Sequence, residues 1–275
     1  MGNRPEPWDE FCEFMKGYGL TLKYESQQSG FSPQKVLVFH APIDQKLPDL
    51  RNAEGYNSIL ADGLFAKPSW PLLAELLKDI AHQRFESLDV LLQDPQGVPT
   101  VLIKTAKERH DLKDQMVTHL KALKVRATIT DRCYQVAEEM LMNAIYDAPV
   151  DAQGKSLYNH LSRKEDVLLT PEQYSILEYG IKNNIVAISV TDPFGGLTRE
   201  TLLDYLESCY IGKAGEINER MGKGGAGRGL HQIVENADLT VFQVKRGEKT
   251  RVVCYFWQRE NPFGECPQLS FTYFD

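Results

Sequence analysis

A glycine-rich stretch at residues 222 to 230 constrains this chain more than any other part of its sequence. It reads Gly-Lys-Gly-Gly-Ala-Gly-Arg-Gly-Leu, with five glycines in nine residues. Apolar residues at 230, 233, 234 and 237 follow, and this spacing predicts a helix. A glycine loop that leads into a helix offers free N–H groups and the positive end of the helix dipole to an anion. We therefore expect this stretch to bind phosphate.

Two familiar phosphate-binding loops do not fit the stretch. Residues 222 to 227 match the dinucleotide fingerprint, but that motif requires a buried strand directly before it. The preceding residues 212 to 221 are polar. A Walker loop fails as well, because Ala214 follows the Gly-Lys pair where Ser or Thr is needed to bind magnesium. The register that remains is Gly225-x-Gly227-x-Gly229-Leu230.

Charge and composition exclude several classes of protein. A net charge of -7 over 275 residues argues against a nucleic-acid-binding surface. The sequence has no run of 18 apolar residues and no signal-peptide core, so we expect a cytoplasmic protein without membrane contact. The five cysteines are scattered and form no Cys-x-x-Cys pair, which favours reduced thiols. No cluster of His, Cys and acidic residues has the spacing of a structural metal site.

Residues 1 to 97 are predicted to form a small α/β unit. An amphipathic segment carries apolar residues at 8, 11, 14 and 15, and a polar stretch at 25 to 30 follows it. Patterns typical of a strand at 35–41, a helix at 71–81 and a second strand at 88–92 come next. Residues 61 to 68 resemble the end of a response-regulator receiver domain. The unit is therefore either a degenerate receiver or a packing or dimerisation unit. Turn residues at 94–99 predict the boundary to a second domain, 98–275.

The second domain begins with a predicted strand at 100–104 and two helices, at 107–123 and 132–146, the latter opened by a capping box at 128–131. Glu139 and Asn143 are four residues apart on the second helix and therefore share one face. A carboxylate and a carboxamide on an apolar helix need partners if they are buried. We expect Asn143 to ligate magnesium and Glu139 to orient or deprotonate a nucleophile. The alternative is two solvated polar side chains.

An acidic residue followed by glycines ends the clearest strand of the chain, at 184–191. The sequence there is Asp192-Pro-Phe-Gly-Gly196, which places a carboxylate where the amino group of a ligand can donate to it. An ordinary Asp-Pro-x-Gly turn is the alternative. Before this strand, residues 171–182 are predicted to form a helix. After the glycine stretch, a hairpin at 239–245 and 250–257 and an edge strand at 269–274 are predicted.

In order and spacing, these motifs resemble those of the GHKL ATPase superfamily, which includes gyrase-type ATPases, Hsp90, sensor histidine kinases and anti-sigma-factor serine kinases. The resemblance covers about residues 98 to 260. It is carried by a first motif at 139–144, a second at 192–196 and a third at 225–230, and by Thr250 in the hairpin. The layout from residue 100 onward is most similar to the anti-sigma-factor kinases. The resemblance implies an α/β sandwich, a mixed sheet with helices on one face, preceded by the small α/β unit.

The same resemblance implies a role for each motif residue in binding ATP and Mg²⁺. Asn143 would hold magnesium and Glu139 would be the general base. Asp192 would bind the adenine amino group, with Gly196 admitting the base and Thr250 approaching it from the sheet. Residues 198 to 224 would form a lid. The triphosphate would be lined by Gly225, Gly227, Gly229 and Leu230, with Lys223 and Arg228 as candidate phosphate contacts.

Two residues depart from the family pattern. Phe194 stands where the second motif usually has its first glycine, and Tyr146 stands where histidine kinases often carry a basic phosphate contact. We expect a kinase that phosphorylates a regulatory partner of the anti-anti-sigma, sigma-factor or response-regulator type. A catalytically silent, ATP-dependent switch is the alternative, and a machine-like ATPase is disfavoured because the chain lacks a transducer domain. Homodimerisation is expected from the habit of the family.

Overall fold

An eight-stranded mixed sheet organises the protein in a computed structural model, which describes residues 8–23, 36–39, 51, 56–92, 97–210, 226–264 and 267–274. The strands are β1 (Val36–Phe39), β2 (Ser58–Ala61), β3 (Thr100–Ile103), β4 (Ser175–Lys182), β5 (Ile185–Asp192), β6 (Leu239–Lys245), β7 (Lys249–Trp257) and β8 (Gln268–Phe274). Their order across the sheet is β1-β2-β8-β6-β7-β5-β4-β3. The β1–β2 and β6–β8 pairs are parallel, and the other pairs are antiparallel.

Helices cover both faces of this sheet. The helices are α1 (Trp8–Lys16), α2 (Trp70–His82), α3 (Leu88–Leu92), α4 (Arg109–Ala122), α5 (Ala127–Met142), α6 (Arg199–Tyr210) and α7 (Ala226–Asn236). A π-helical turn at Asn143–Asp147 extends α5, and 3₁₀ turns lie at Asp62–Phe65, Lys67–Ser69 and Pro171–Gln173. One apolar core joins α4 to α7 to one sheet face, and a second core joins α1 to α3 to the other. The α/β sandwich class is confirmed, with helices on both faces instead of one.

The N-terminal residues contribute to the same sheet as the rest of the chain. Strand β2 pairs with β8, and β8 pairs with β6 on its other side. The strand at the C-terminal end is therefore internal, and its prediction as an edge strand was wrong. The division into 1–97 and 98–275 stays a prediction, and in the structure the two parts share one sheet.

Strand β4 lies where the sequence analysis predicted a helix. Residues 175–182 pair with β3 on one side and with β5 on the other. The turn between β4 and β5 is Asn183-Asn184, and both residues are left-handed, with φ of 49° and 74°. Two left-handed residues fit the type I′ turn that the twist of a two-residue hairpin requires. The helix prediction was wrong because it missed this turn signal.

Two smaller boundaries also differ from the predictions. Residues 88–92 form helix α3 and not a strand, since a short apolar run fits either structure. Helix α5 begins at Ala127, with Arg126 as its N-cap residue. Thr128 therefore lies inside the helix, and no capping box forms at 128–131. The polar stretch at 25–30, residues 94–96 of the predicted boundary and the lid residues 211–224 lie outside the described residues.

No helix in the described ranges combines the length and the apolar character that crossing a membrane requires.

A buried polar cluster connects α2 to the sheet. The Asp79 carboxylate, fully buried, accepts hydrogen bonds from Gln243 Nε2 at 2.8 Å and from the Glu86 N–H at 3.1 Å. Arg251, only 1% exposed, donates to Ser189 Oγ at 3.1 Å and to the Glu86 carbonyl. Burial raises the pKa of Asp79 to about 6, although Gln243 and Arg251 oppose this rise. The ionised form of this carboxylate is therefore less stable in the folded protein than in the unfolded chain.

We predict that Asp79→Asn removes part of the pH dependence of stability. Because the folded pKa of Asp79 is raised, this group favours folding most below about pH 4, and that contribution is lost as pH rises through about 6. A shift of this size corresponds to roughly 3 kcal/mol. The variant should therefore gain stability relative to the wild type between pH 4 and pH 7, which urea unfolding across this range would measure. The unpartnered Oε1 of Gln243 is available to the new amide.

The matched control is Asp114→Asn, which removes a carboxylate from an exposed position on α4. Its unfolding free energy should follow the wild-type curve across the same pH range. Parallel curves for Asp79→Asn and the wild type would contradict the prediction.

Candidate functional site

The end of helix α5 carries the first predicted motif. The apolar residues Val136, Ala137, Met140 and Leu141 of α5 are buried in the core, whereas Glu139 and Asn143 are half-buried. The π-helical turn starts at Asn143, whose carbonyl accepts a hydrogen bond from the Ala148 N–H at 2.8 Å. Such turns are rare and recur at functional sites. This turn packs against both β5 and α7, and so brings the first motif to the strand and helix that carry the other two.

The start of α7 packs directly on the first motif. A Cβ atom placed on Gly229 would lie 2.7 Å from Glu139 Oε2 and 3.5 Å from Asn143 Oδ1. The close approach therefore requires glycine at position 229. Because α7 begins at Ala226, the first four helical N–H groups, which have no acceptor within a helix, belong to residues 226–229. The contact places this helix end beside a carboxylate and a carboxamide, as the predicted site requires.

The structure describes some of the other residues predicted for the phosphate-binding stretch and not the rest. Gly227 lies in the first turn of α7 and not in a loop before it. The Leu230 side chain is 7% exposed and belongs to the apolar core. Arg228 lies in the same turn, but its side chain is outside what the structure describes, as are Lys223 and Gly225 altogether.

The second motif pairs with the hairpin at the end of β5. Asp192 lies directly opposite Thr250 in the β5–β7 ladder. The Asp192 carboxylate accepts a hydrogen bond from the Phe194 N–H at 2.9 Å, and Phe194, Gly195 and Thr250 all lower its pKa. Burial nevertheless raises the pKa of Asp192 to about 6. The two residues predicted to meet the adenine base are thus in contact with each other.

The two glycines after Asp192 have different surroundings. Gly195 is left-handed with φ +62°, and a Cβ there would come within 2.1 Å of the Lys245 carbonyl oxygen. The β6–β7 turn therefore excludes any side chain at position 195. Gly196 is exposed, and a Cβ there would meet no atom of the described residues within 4 Å. The open space beside Gly196 is what the predicted approach of a ligand would use.

Charged groups surround Glu139 in equal number. Burial is the largest cause that raises the pKa of Glu139, and the acidic groups Glu138 and Asp147 raise it further, while Arg163 and Arg109 lower it. Glu138 itself pairs with Arg109 at 2.9 Å and with the buried ammonium group of Lys113. Within the part of the chain that the structure describes, no hydrogen-bond donor reaches the Glu139 carboxylate. A half-buried carboxylate with a raised pKa and no fixed partner is suited to accept a proton.

One side-chain oxygen at the site is of the kind that Mg²⁺ uses in proteins. The described ranges contain no group of three or more His, Cys, Asp or Glu side chains that could hold a metal ion. Mg²⁺ commonly uses one or two protein oxygens and completes its shell with water and substrate phosphates. The Oδ1 atom of Asn143, beside the start of α7, could supply such an oxygen.

Two residues next to the site were missed by the sequence analysis. The Arg163 guanidinium pairs with Asp147 at 2.7 Å and lies 4.7 Å from the centre of the Tyr146 ring. Arg163 belongs to an irregular segment and is 16 residues from Asp147 in sequence. No periodic pattern or motif predicts such a contact, so no signal in the sequence could have identified it.

Comparison with known proteins finds no family model that matches the chain and no match among curated proteins.

We predict that Gly229→Ala displaces Glu139 without unfolding the protein. Alanine is favoured over glycine in a helix by about 1 kcal/mol, and the clashing atom is the far end of a flexible side chain. The Glu139 carboxylate should turn toward water, and its pKa should fall toward the ordinary value. NMR titration of ¹³C-labelled glutamate side chains, assigned with Glu139→Gln, would measure the shift, and urea unfolding would show stability within about 1 kcal/mol of the wild type.

Gly196→Ala is the matched control, because its Cβ meets nothing in the structure. It should leave the Glu139 titration unchanged. If Gly229→Ala also left this titration unchanged, the packing of α7 on Glu139 would be refuted.

Proposed function

We propose that the protein binds ATP with Mg²⁺ between the end of α5, the start of α7 and the end of β5, and that it phosphorylates a regulatory partner protein. The observation that carries this proposal is the contact of Gly229 with Glu139 and Asn143, because it joins two motifs that lie far apart in sequence. The pairing of Asp192 with Thr250 supports it. The order of these motifs resembles that of the GHKL superfamily, and most closely that of its anti-sigma-factor kinases.

Each group of residues has a distinct task in this proposal. Asp192 accepts a hydrogen bond from the adenine amino group, and the space beside Gly196 admits the base. The N–H groups at the start of α7 receive phosphate oxygens. Asn143 holds the magnesium ion, which would neutralise charge on the phosphates.

Glu139 acts as the general base of the transfer. Its carboxylate accepts the proton of a serine or threonine hydroxyl of the partner as that oxygen attacks the terminal phosphorus of ATP. The bond between that phosphorus and the bridging oxygen breaks, and ADP leaves with the bridging oxygen. The partner would be of the anti-anti-sigma, sigma-factor or response-regulator type, as the resemblance implies.

We predict that calorimetric titration with ATP and Mg²⁺ shows saturable binding and that Asp192→Asn weakens it by about 10- to 100-fold. The factor follows from losing one hydrogen bond to a charged acceptor, about 1.5–3 kcal/mol. Asparagine keeps an oxygen that can accept from the Phe194 N–H, so the turn should persist. Asp114→Asn, at an exposed position, should bind as the wild type does. The absence of saturable wild-type binding would refute the proposal.

A catalytically silent, ATP-dependent switch is the second candidate function. It is favoured by the Asp192 carboxylate, which already accepts a hydrogen bond from the Phe194 N–H within the protein. A ligand would share this acceptor with an internal partner, which suits a switch that senses whether the site is occupied.

We predict that Glu139→Gln separates the two functions. In a kinase, this variant keeps ATP affinity and loses phosphorylation of the partner by at least about 100-fold, since the base is removed. In a switch, Glu139→Gln regulates the partner normally, whereas Asn143→Asp abolishes regulation together with nucleotide binding. Transfer of radiolabelled phosphate, measured beside partner binding for both variants, distinguishes these results.

A further inference from the structure

Tyr146 connects the segment 148–170 to the end of the first motif by hydrogen bonds. This tyrosine is fully buried, and its hydroxyl donates to the carbonyl groups of Arg163, at 3.3 Å, and of Glu165, at 2.7 Å. Buried phenol groups need such partners. The backbone around Arg163 is thereby held against the π-helical turn that begins at Asn143.

The two terminal nitrogens of the Arg163 guanidinium, Nη1 and Nη2, have different surroundings. It lies over the Tyr146 ring, 4.7 Å from its centre, and Nη2 donates to Asp147 Oδ1 at 2.7 Å. Nη1 is buried and has no hydrogen-bond partner among the described residues. A charged donor that is buried without an acceptor is destabilising, so such a group usually marks a missing partner.

The other cations near the site are committed differently. Arg109 and Lys113 both pair with Glu138, on the side of α5 that faces α4. Arg163 pairs with Asp147, which ends the same π-helical turn that Asn143 begins. Arg109 and Arg163 both lie within electrostatic range of Glu139, because each lowers the pKa of that carboxyl. Of the two, only Arg163 has its ion pair on the turn that begins at Asn143.

We propose that Arg163 binds a phosphate group of the nucleotide at the Asn143 end of the site. This inference rests on the proposed function and adds to it a residue that no motif contains. A guanidinium can donate to phosphate through Nη1 while Nη2 keeps its bond to Asp147, because its donors form a planar fork. The Tyr146 ring packs against this cation. Arg163, from the segment 148–170, then supplies the positive charge that histidine kinases often carry at the position of Tyr146.

Arg163→Gln tests the proposal with three probes, which are ATP with Mg²⁺, adenosine and inorganic tripolyphosphate. Loss of a hydrogen bond between charged groups should weaken ATP and tripolyphosphate binding by about 10- to 100-fold. Adenosine carries no phosphate, so its affinity should stay at the wild-type value. Lys164→Gln removes the same charge from an exposed neighbour and should change none of the three affinities at physiological salt.

Asp147→Asn distinguishes phosphate binding from a structural role. Both variants break the pair between Asp147 and Arg163, but only one of them removes the cation. Asp147→Asn should therefore bind ATP and tripolyphosphate as tightly as the wild type, or more tightly. Equal weakening by Asp147→Asn and Arg163→Gln would overturn the proposal, and so would wild-type affinity in Arg163→Gln.

The failure of this inference can be told from the failure of the proposed function. If the wild type bound tripolyphosphate but neither ATP nor adenosine, the ATP function would fall, and a loss of tripolyphosphate binding in Arg163→Gln would still support the phosphate site. If the wild type bound none of the three, both proposals would fall. If it bound ATP and Arg163→Gln bound it equally well, only the role of Arg163 would be overturned.

Discussion

The antiparallel pairing of β5 with β7 is the interaction on which the rest of the structure depends. Its register sets Asp192 opposite Thr250 and Thr191 opposite Arg251. Because successive residues of a strand point to opposite faces, one face at this end of the sheet carries the candidate site. The other face carries the guanidinium of Arg251, which reaches Ser189 and the segment after α2. A slip of one residue would exchange the two faces and destroy both arrangements.

The two-sided burial of the central strands explains why helices cover both faces. All but the last residue of β6 are buried, so this strand lacks the alternation of a sheet with one solvated face. The N-terminal helices cover the side of Val241, Val253 and Tyr255, and the site-bearing helices cover the side of Phe242 and Phe256. Residues before 98 are therefore part of what keeps the sheet folded, in addition to any role in signalling.

The sequence predicted those parts of the fold and site that rest on local patterns. The strand predicted at 184–191 and the helix predicted from residue 230 were confirmed, although α7 begins earlier, at Ala226 inside the glycine stretch. The strand at 175–182 was missed, although Asn183-Asn184 was a turn signal that could have shown it. The contact of Arg163 with Asp147 was beyond reach, since it joins an irregular segment to a π-helical turn and neither has a repeating pattern. Tertiary packing, not local propensity, decides such contacts.

Phe194, which departs from the pattern of the family that the motifs resemble, fits the turn after β5. Phe194 bonds to Asp192 through its backbone N–H, so this hydrogen bond does not depend on which side chain stands at position 194. Among the described residues, the left-handed conformation at this turn falls on Gly195 and not on Phe194. Gly195 is also where the β6–β7 turn leaves no room for a Cβ. The conformational need for glycine in this turn therefore falls on position 195, and Phe194 is compatible with the observed position of the Asp192 carboxylate.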